Sequence, residues 1–464
     1  MTTTLIRGGL VITAAEETHA DVLIDGGRIV ALADHAAELP WNADQVIDAT
    51  GKYVIPGGVD AHTHMEMPFG GTYASDTFET GTRAAAWGGT TTIVDFAIQS
   101  VGSGLREGLD AWHAKAEGNC AIDYGFHMIL ADVNEHSLKE MDALVGEGVT
   151  SFKLFMAYPG VFYSDDGKIL RAMQHAAGNG GLIMMHAENG IAIDVLVEQA
   201  VAAGRTDPRH HGEVRKALLE AEATHRAIQL ARVAGSPLYV VHVSATEAVA
   251  EITRARDLGL PVFGETCPQY LFLSTDNLAE PDFEGAKYVC STPLRPAEHQ
   301  DALWRSLRTD DLSVVSTDHC PFCFTGQKEL GRGDFSKIPN GMPGVENRMD
   351  LLHQAVVEGR ISRRRWIEIA CAAPARMFGL YPRKGTIAPG ADADIVLYDP
   401  HAEQVMSAET HHMNVDYSAY EGRRTTGRVH TVLSRGELVI DGRRYVGHAG
   451  HGRYQPRGTC QYLG

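Results

Sequence analysis

The chain has 464 residues, 44% of them apolar and 22% charged, which suits a large barrel with an accessory domain better than one minimal core. A formal net charge of −18 argues against nucleic acid or an anionic membrane surface as a partner. No apolar run reaches the roughly 18 residues of a membrane span, and residues 1–8 lack the basic-then-apolar layout of a signal peptide.

In chain order, the first fifty residues have the texture of short strands, at 3–7, 10–13, 21–24, 28–32 and 45–48, with Asp25, Gly26 and Gly27 supplying one turn. The middle then alternates strands with helices. Strands are expected at 59–63, 91–96, 124–130, 151–156, 182–186, 238–243, 262–270 and 312–317. Helices are expected at 77–87, 138–146, 213–233, 245–258 and 300–307. Strand–helix alternation over roughly 260 residues predicts an α/β fold of the TIM-type (β/α)8 barrel class. A doubly wound open sheet is disfavoured because no Gly-rich nucleotide loop follows the first of these strands. Short strands return at 394–398, 430–434 and 437–440. Residues 1–55 and 384–446 are therefore expected to build a smaller β layer from both ends, beside a barrel spanning 56–383. The tail, 447–464, is rich in Gly, His, Arg and Tyr and is expected as an extended arm. Seven scattered cysteines, an odd number, point to reduced thiols and a cytoplasmic setting.

Chemistry-bearing residues fall where such a barrel has its active face. His62 and His64 end the first barrel strand, two apart and hence on one side of it. Lys153 lies in the fourth strand, His186 ends the fifth, His242 ends the sixth and Asp318 follows the eighth. One histidine at a strand end is an ordinary structural residue. Four of them with an aspartate, at four strand ends, with Lys153 on a fifth strand, point to a metal site. Imidazoles with a carboxylate suit zinc, with manganese, iron, cobalt or nickel as substitutes. The set exceeds what one open catalytic zinc needs, so a pair of ions about 3.5–4 Å apart is expected. An ammonium at Lys153 would be repelled by such ions, and burial favours its neutral amine. That amine can take up carbon dioxide as a carbamate, whose two oxygens suit a bridge between two ions. The plain alternative has Lys153 facing solvent or paired with a carboxylate.

The motif Val59-Asp60-Ala61-His62-Thr63-His64 resembles the metal motif of the amidohydrolase superfamily. Further segments are FKLFMAY (152–158), HAENG (186–190), VHVSA (241–245), GETCPQY (264–270), CSTPLR (290–295), STDHCP (316–321) and IPNGMPGVE (338–346). In order and spacing, from about residue 5 to about 440, the whole set is similar to the dihydropyrimidinases and D-hydantoinases. The resemblance implies that His62, His64 and Asp318 bind one zinc ion, His186 and His242 the other, and that N6-carboxylated Lys153 bridges both. It also implies a β-sandwich beside the barrel and a homotetramer. The implied substrate is a small cyclic ureide, a 5,6-dihydropyrimidine or a hydantoin, opened to an N-carbamoyl amino acid. On that reading the ions would supply a hydroxide for attack on the ring amide, a zinc ion or Tyr158 would steady the oxyanion, and Asp318 would move the proton to the leaving nitrogen. Ser291 and Asn340 match positions that read the ureide edge. Asn340 otherwise reads as a turn residue and Tyr158 as a rim aromatic.

An apolar rim of Phe69, Phe155 and Phe162 is expected to set substrate size. Phe155 has the strand parity of Lys153, and Phe69 precedes the flexible pair Gly70-Gly71. Three features fall outside this chemistry. Cys320 to Cys323 has the spacing of a redox CxxC or half a zinc knuckle, but no second CxxC exists. Arg363, Arg364 and Arg365 read as a solvated helix face, and His411 with His412 as surface. A dihydroorotase-like activity would call for arginine two residues after His64, where Glu66 stands. An allantoinase-like activity fits FKLFMAY and IPNGMPGVE less well. A non-enzymatic scaffold like the collapsin-response mediator proteins would have lost metal ligands, yet all six positions are filled here.

Overall fold

The structure is a computed structural model that describes residues 3–37 and 42–463. Eight parallel strands form the barrel: β1 (Gly58–Thr63), β2 (Thr90–Ile98), β3 (Asp123–Ile129), β4 (Ser151–Phe155), β5 (Leu182–His186), β6 (Leu238–Val240), β7 (Val262–Thr266) and β8 (Val314–Val315). They pair in sequence order. A parallel bridge from Thr63 to His319, just past β8, brings the last strand back to the first. Val59, Ala61, Val94, Phe96, Leu182, Met184, Tyr239 and Val314 share one packed cluster inside the barrel. The outward faces of the strands pack against the surrounding helices in a second cluster.

Both chain ends feed one nine-stranded mixed sheet with its own core, in which Ile6, Val22, Val54, Ile395, Leu397 and Leu433 are buried together. Tyr53–Pro56, not anticipated as a strand, sits between Thr4–Ile12 and Ile395–Val405 and joins the two ends. The strands expected at 3–7 and 10–13 are one strand, Thr4–Ile12. Gly8 takes φ +77° and shifts the register between Ile6 and Gly9, a bulge that looks like a turn in sequence. Lys384 fastens this sheet to the barrel: its buried ammonium lies 2.6 Å from Asp123 at the start of β3 and 2.7 Å from Asp394. The arm lies along its own barrel. Gln455 N donates to Tyr124 O at 2.7 Å and Arg457 Nη2 to Ser151 Oγ at 2.8 Å. Its last residue, 464, is outside the described part.

Other expectations change in detail. The strand predicted at 262–270 stops at Thr266, because Pro268 opens a helix at Pro268–Phe272. The helix predicted at 213–233 is two, Arg209–Val214 and Ala217–Ala234, and the break carries the buried Arg215. The strands predicted at 238–243 and 312–317 shorten to β6 and β8, since His242 and Asp318 turn to φ +41° and +52° beyond them. The arginine run does open a helix, Arg363–Ile367, but is not merely solvated: Arg363 pairs with Glu17 at 2.6 Å and Arg365 with Asp310 at 2.9 Å. His412 is not free surface either. It stacks on Trp87 with ring centroids 3.9 Å apart and reaches Glu346 at 2.8 Å. All seven cysteines are free, Cys320 and Cys323 included.

Candidate active site

The strands deliver their chemical side chains to one pocket at the C-terminal mouth, holding about 430 Å³ of empty space with its opening included. Its walls include His64, Lys153, His186, His242 and Asp318, with Phe69, Phe155, Tyr158, Phe162, Ser291 and Asn340. His62 lies just behind, fully buried. Every candidate side chain read from the sequence therefore comes to this one place.

Donor atoms crowd the floor. His62 Nε2 and His64 Nε2 lie 3.1 and 3.2 Å from Asp318 Oδ1. Lys153 Nζ is 2.9 Å from His62 Nε2, and His186 Nδ1 is 2.9 Å from His242 Nε2. Two neutral imidazole nitrogens at that separation share at most one hydrogen. A cation accepted by both lone pairs satisfies them better. The outer nitrogens are already engaged: His62 Nδ1 contacts Glu265, and His186 Nε2 sits 2.9 Å from Glu188 Oε2. A carboxylate that takes the far N–H fixes the tautomer and leaves the near nitrogen bare. Among the described residues, His64 Nδ1 and His242 Nδ1 are buried without a hydrogen-bond partner. His62, His64 and Asp318 each offer a ligand atom within 4.8 Å of the others. The residues fit a metal centre.

Burial shapes the electrostatics. Desolvation is the largest influence on each imidazole and pushes His62, His64, His186 and His242 below the ordinary histidine range, so the rings stand neutral, the form that can accept a cation. Desolvation likewise lowers the Lys153 ammonium, against the pull of Asp318 and Glu265. Burial alone would raise Asp318, but His62, His64 and His242 outweigh it and hold the carboxyl well below the usual carboxylate range. Tyr158 is pushed up to about 12 by burial, only partly countered by Arg215, so its hydroxyl keeps its proton.

Backbone strain collects here too. Tyr158, His242 and Asp318 adopt φ of +62°, +41° and +52°, a region that costs non-glycine residues about 1–3 kcal/mol each and persists where neighbours enforce it. At His242 the enforcement is visible: its N–H reaches Glu265 Oε1 at 3.3 Å, and Val243 N donates to Glu265 O at 2.8 Å. On the opposite wall, Asn340 Nδ2 donates to Ser291 Oγ at 3.1 Å and lies 3.5 Å from Tyr158 Oη. Phe69, Phe155 and Phe162 form a continuous rim, with Phe155 and Phe162 stacked at 5.0 Å and Phe69 parallel to Phe162 at 6.5 Å.

Sequence reasoning missed the residues behind the candidate ligands. Glu265, held by Tyr239 Oη at 2.9 Å, supports His62. Glu188, paired with Arg215 at 2.7 Å, supports His186. His319 joins Asp76 at 2.9 Å while accepting from Gly344 N at 3.1 Å, which anchors the loop after Asn340. The available signal was a lone carboxylate inside an otherwise apolar strand or motif: Glu265 in β7 and Glu188 two residues past His186. Glu66, by contrast, accepts from Phe78 N at 3.2 Å and holds a helix start. Changing Glu265 to Gln keeps the shape and removes the charge behind His62. Metal affinity should fall about 10- to 100-fold, read by zinc titration of stripped protein against a competing chelator. Unchanged affinity would reduce Glu265 to packing.

The amidohydrolase family model matches residues 53–439. A D-hydantoinase of Streptomyces coelicolor is 85% identical over 463 residues, 99% of each chain. The crystal structure of a dihydropyrimidinase from Brevibacillus agri superposes with a TM-score of 0.97 at 51% identity, covering 98% of this chain and 99% of that one. An L-hydantoinase from Arthrobacter aurescens has a TM-score of 0.89 at 29% identity, covering 98% and 100%. The chain belongs to the amidohydrolase family, among its D-hydantoinases and dihydropyrimidinases.

Proposed function

We propose that this chain opens the rings of 5-substituted hydantoins and 5,6-dihydropyrimidines to N-carbamoyl amino acids, and that it does so with two zinc ions bridged by N6-carboxylated Lys153. The observation that carries the proposal is the delivery of four imidazoles, one lysine and one aspartate, from separate strand ends, to a pocket whose other wall is Ser291, Asn340 and Tyr158. We assign His62, His64 and Asp318 to one ion and His186 and His242 to the other. The close sets around Asp318 and between His186 and His242 support this division.

When bound, the ions lower the pKa of water to about 7 and polarise the amide carbonyl. The remaining work belongs to the chain. Lys153 is buried beneath the rings of Phe96 and Phe155, 4.3 and 5.0 Å from Nζ, where burial lowers its ammonium to about 8 and brings the neutral amine, which can add carbon dioxide with loss of a proton, within reach. Asp318, ionised, takes a proton from the attacking water and passes it to the leaving ring nitrogen. Tyr158, protonated, donates to the developing oxyanion. Ser291 and Asn340 offer hydroxyl, amide and backbone groups that match the alternating N–H and C=O of a ureide. Phe69, Phe155 and Phe162 enclose the substituent at ring carbon 5, so apolar substituents are expected to be favoured. The identity to a D-hydantoinase supports D-selectivity.

We further propose a homotetramer working in the cytoplasm. The seven free thiols support the compartment, and among the described residues no helix is long and apolar enough to cross a membrane. The test is hydrolysis of hydantoin, 5-phenylhydantoin, dihydrouracil, allantoin and dihydroorotate by zinc-loaded and metal-stripped protein. Metal-dependent opening of the first three, with little on the last two, is expected. A preference for allantoin or dihydroorotate, or silence on all five despite two bound ions, would overturn the substrate assignment.

A further inference from the structure

Lys328 has no place in the chemistry above, yet it is fully buried and among the largest side chains to be so. It begins a short turn, Lys328–Gly331, and its backbone N–H is fastened to Cys323 O at 3.0 Å. Its three ammonium hydrogens go to three carbonyls: Val289 at 2.8 Å, Pro339 at 2.7 Å and Gly341 at 2.7 Å. None goes to a carboxylate. Three charge-assisted bonds compensate an ammonium for lost water, and short ones of this kind are about twice as strong as neutral pairs.

The partners matter more than the count. Val289 lies two residues before Ser291, and Pro339 and Gly341 flank Asn340. The two loops also meet directly, through Gly341 N to Val289 O at 3.0 Å and Asn340 Nδ2 to Ser291 Oγ at 3.1 Å. Gly341 has φ +155°, and a Cβ there would fall 2.2 Å from Cys320 O, so its backbone is pressed against the pocket wall. In a trans peptide the C=O and N–H point in opposite directions. Binding the Pro339 carbonyl therefore turns the Asn340 N–H away from Lys328. Among the described residues that N–H has no protein acceptor. One cation thus sets the orientation of the peptide and side chain offered to a substrate.

We propose that Lys328 is a positioning residue for ring recognition: it clamps the loops of Ser291 and Asn340 into one rigid donor–acceptor edge. The inference rests on the assignment of Ser291 and Asn340 to the ureide.

Steady-state kinetics of zinc-loaded Lys328→Met, Asn340→Ala, Ser291→Ala and the Lys328→Met/Asn340→Ala pair, with hydantoin as substrate, test it. Lys328→Met should raise KM about tenfold or more while kcat changes less than about threefold, the mark of lost substrate binding. Metal content should stay at the parent's value. The paired variant should lose less than the product of its single losses, because both changes act on one edge. Lys328→Gln, which keeps two N–H donors, should restore part of the KM and carries the test if Lys328→Met does not fold. An unchanged KM in Lys328→Met, with KM raised in Asn340→Ala and Ser291→Ala, overturns the clamp and leaves the ureide assignment standing. Unchanged KM in Asn340→Ala and Ser291→Ala overturns that assignment itself, and the clamp with it. If neither Lys328 variant folds, the lysine serves folding, and the proposal fails.

Discussion

Replacing Asp318 with Asn should leave a folded, metal-loaded protein that turns over about 10²- to 10⁴-fold more slowly. The expected size follows from general acid–base transfer by a positioned side chain, worth about 10²–10⁴. Asparagine is the informative substitution because the backbone here is left-handed, at φ +52°, and Asn tolerates that region far better than most residues. It keeps an oxygen facing His62 and His64, which now sit 3.1 and 3.2 Å from Oδ1, but cannot take up a proton. Alanine would add backbone strain and lose the ligand atom as well. The measurement is kcat on protein whose metal content is assayed in the same preparation, with a thermal melt alongside. Parent-like turnover with two ions bound would remove Asp318 from the proton path. Loss of metal together with turnover would make it a ligand first.

The parts legible in sequence are those fixed by local periodicity. His62 and His64 share a side of β1 because strand residues alternate, and Phe155 faces the pocket with Lys153 for the same reason. The barrel itself follows from strand–helix alternation, and its C-terminal mouth from where the polar residues interrupt apolar strands. The resemblance gave what spacing could not: which loop residues to look for in the pocket wall, among them Ser291 and Asn340.

The supporting contacts were hidden for a physical reason. Glu265 meets His62 across 203 positions of sequence and Asp76 meets His319 across 243, so no window of sequence holds both partners. Lys328 is the extreme case. In sequence it sits beside Gln327 and Glu329 and looks like any solvated turn lysine. Its role appears only when Val289, Pro339 and Gly341 bring three carbonyls to one point. The errors in element bounds also have causes. Strand ends at His242 and Asp318 were read too long because left-handed residues there leave the ladder, and those same turns aim the side chains inward. A site built from strained strand ends looks, in sequence, like a longer strand.

Lys153 offers the sharpest separation of stability from function. In Lys153→Met the buried ammonium, 1% exposed and lying over the rings of Phe96 and Phe155, gives way to an apolar chain of similar length. Among the described residues Lys153 forms no ion pair, so an apolar replacement removes the desolvation cost of a buried charge without stranding a partner. The melting temperature of the metal-free protein should therefore hold or rise. Hydrolysis should nevertheless fall by about a thousandfold or more, since metal catalysis contributes several kcal/mol and each 1.36 kcal/mol is tenfold in rate. Lys153→Ala should lose activity equally but leave a cavity beside His62. A short carboxylate such as propionate can enter that space and present two oxygens where the carbamate would lie. Partial recovery of metal binding and turnover is expected for Ala with propionate and not for Met, whose side chain fills the space. Parent metal content and kcat in Lys153→Met would sink the bridging role. Recovery in Ala by an amine rather than a carboxylate would show that the lysine acts as an unmodified base.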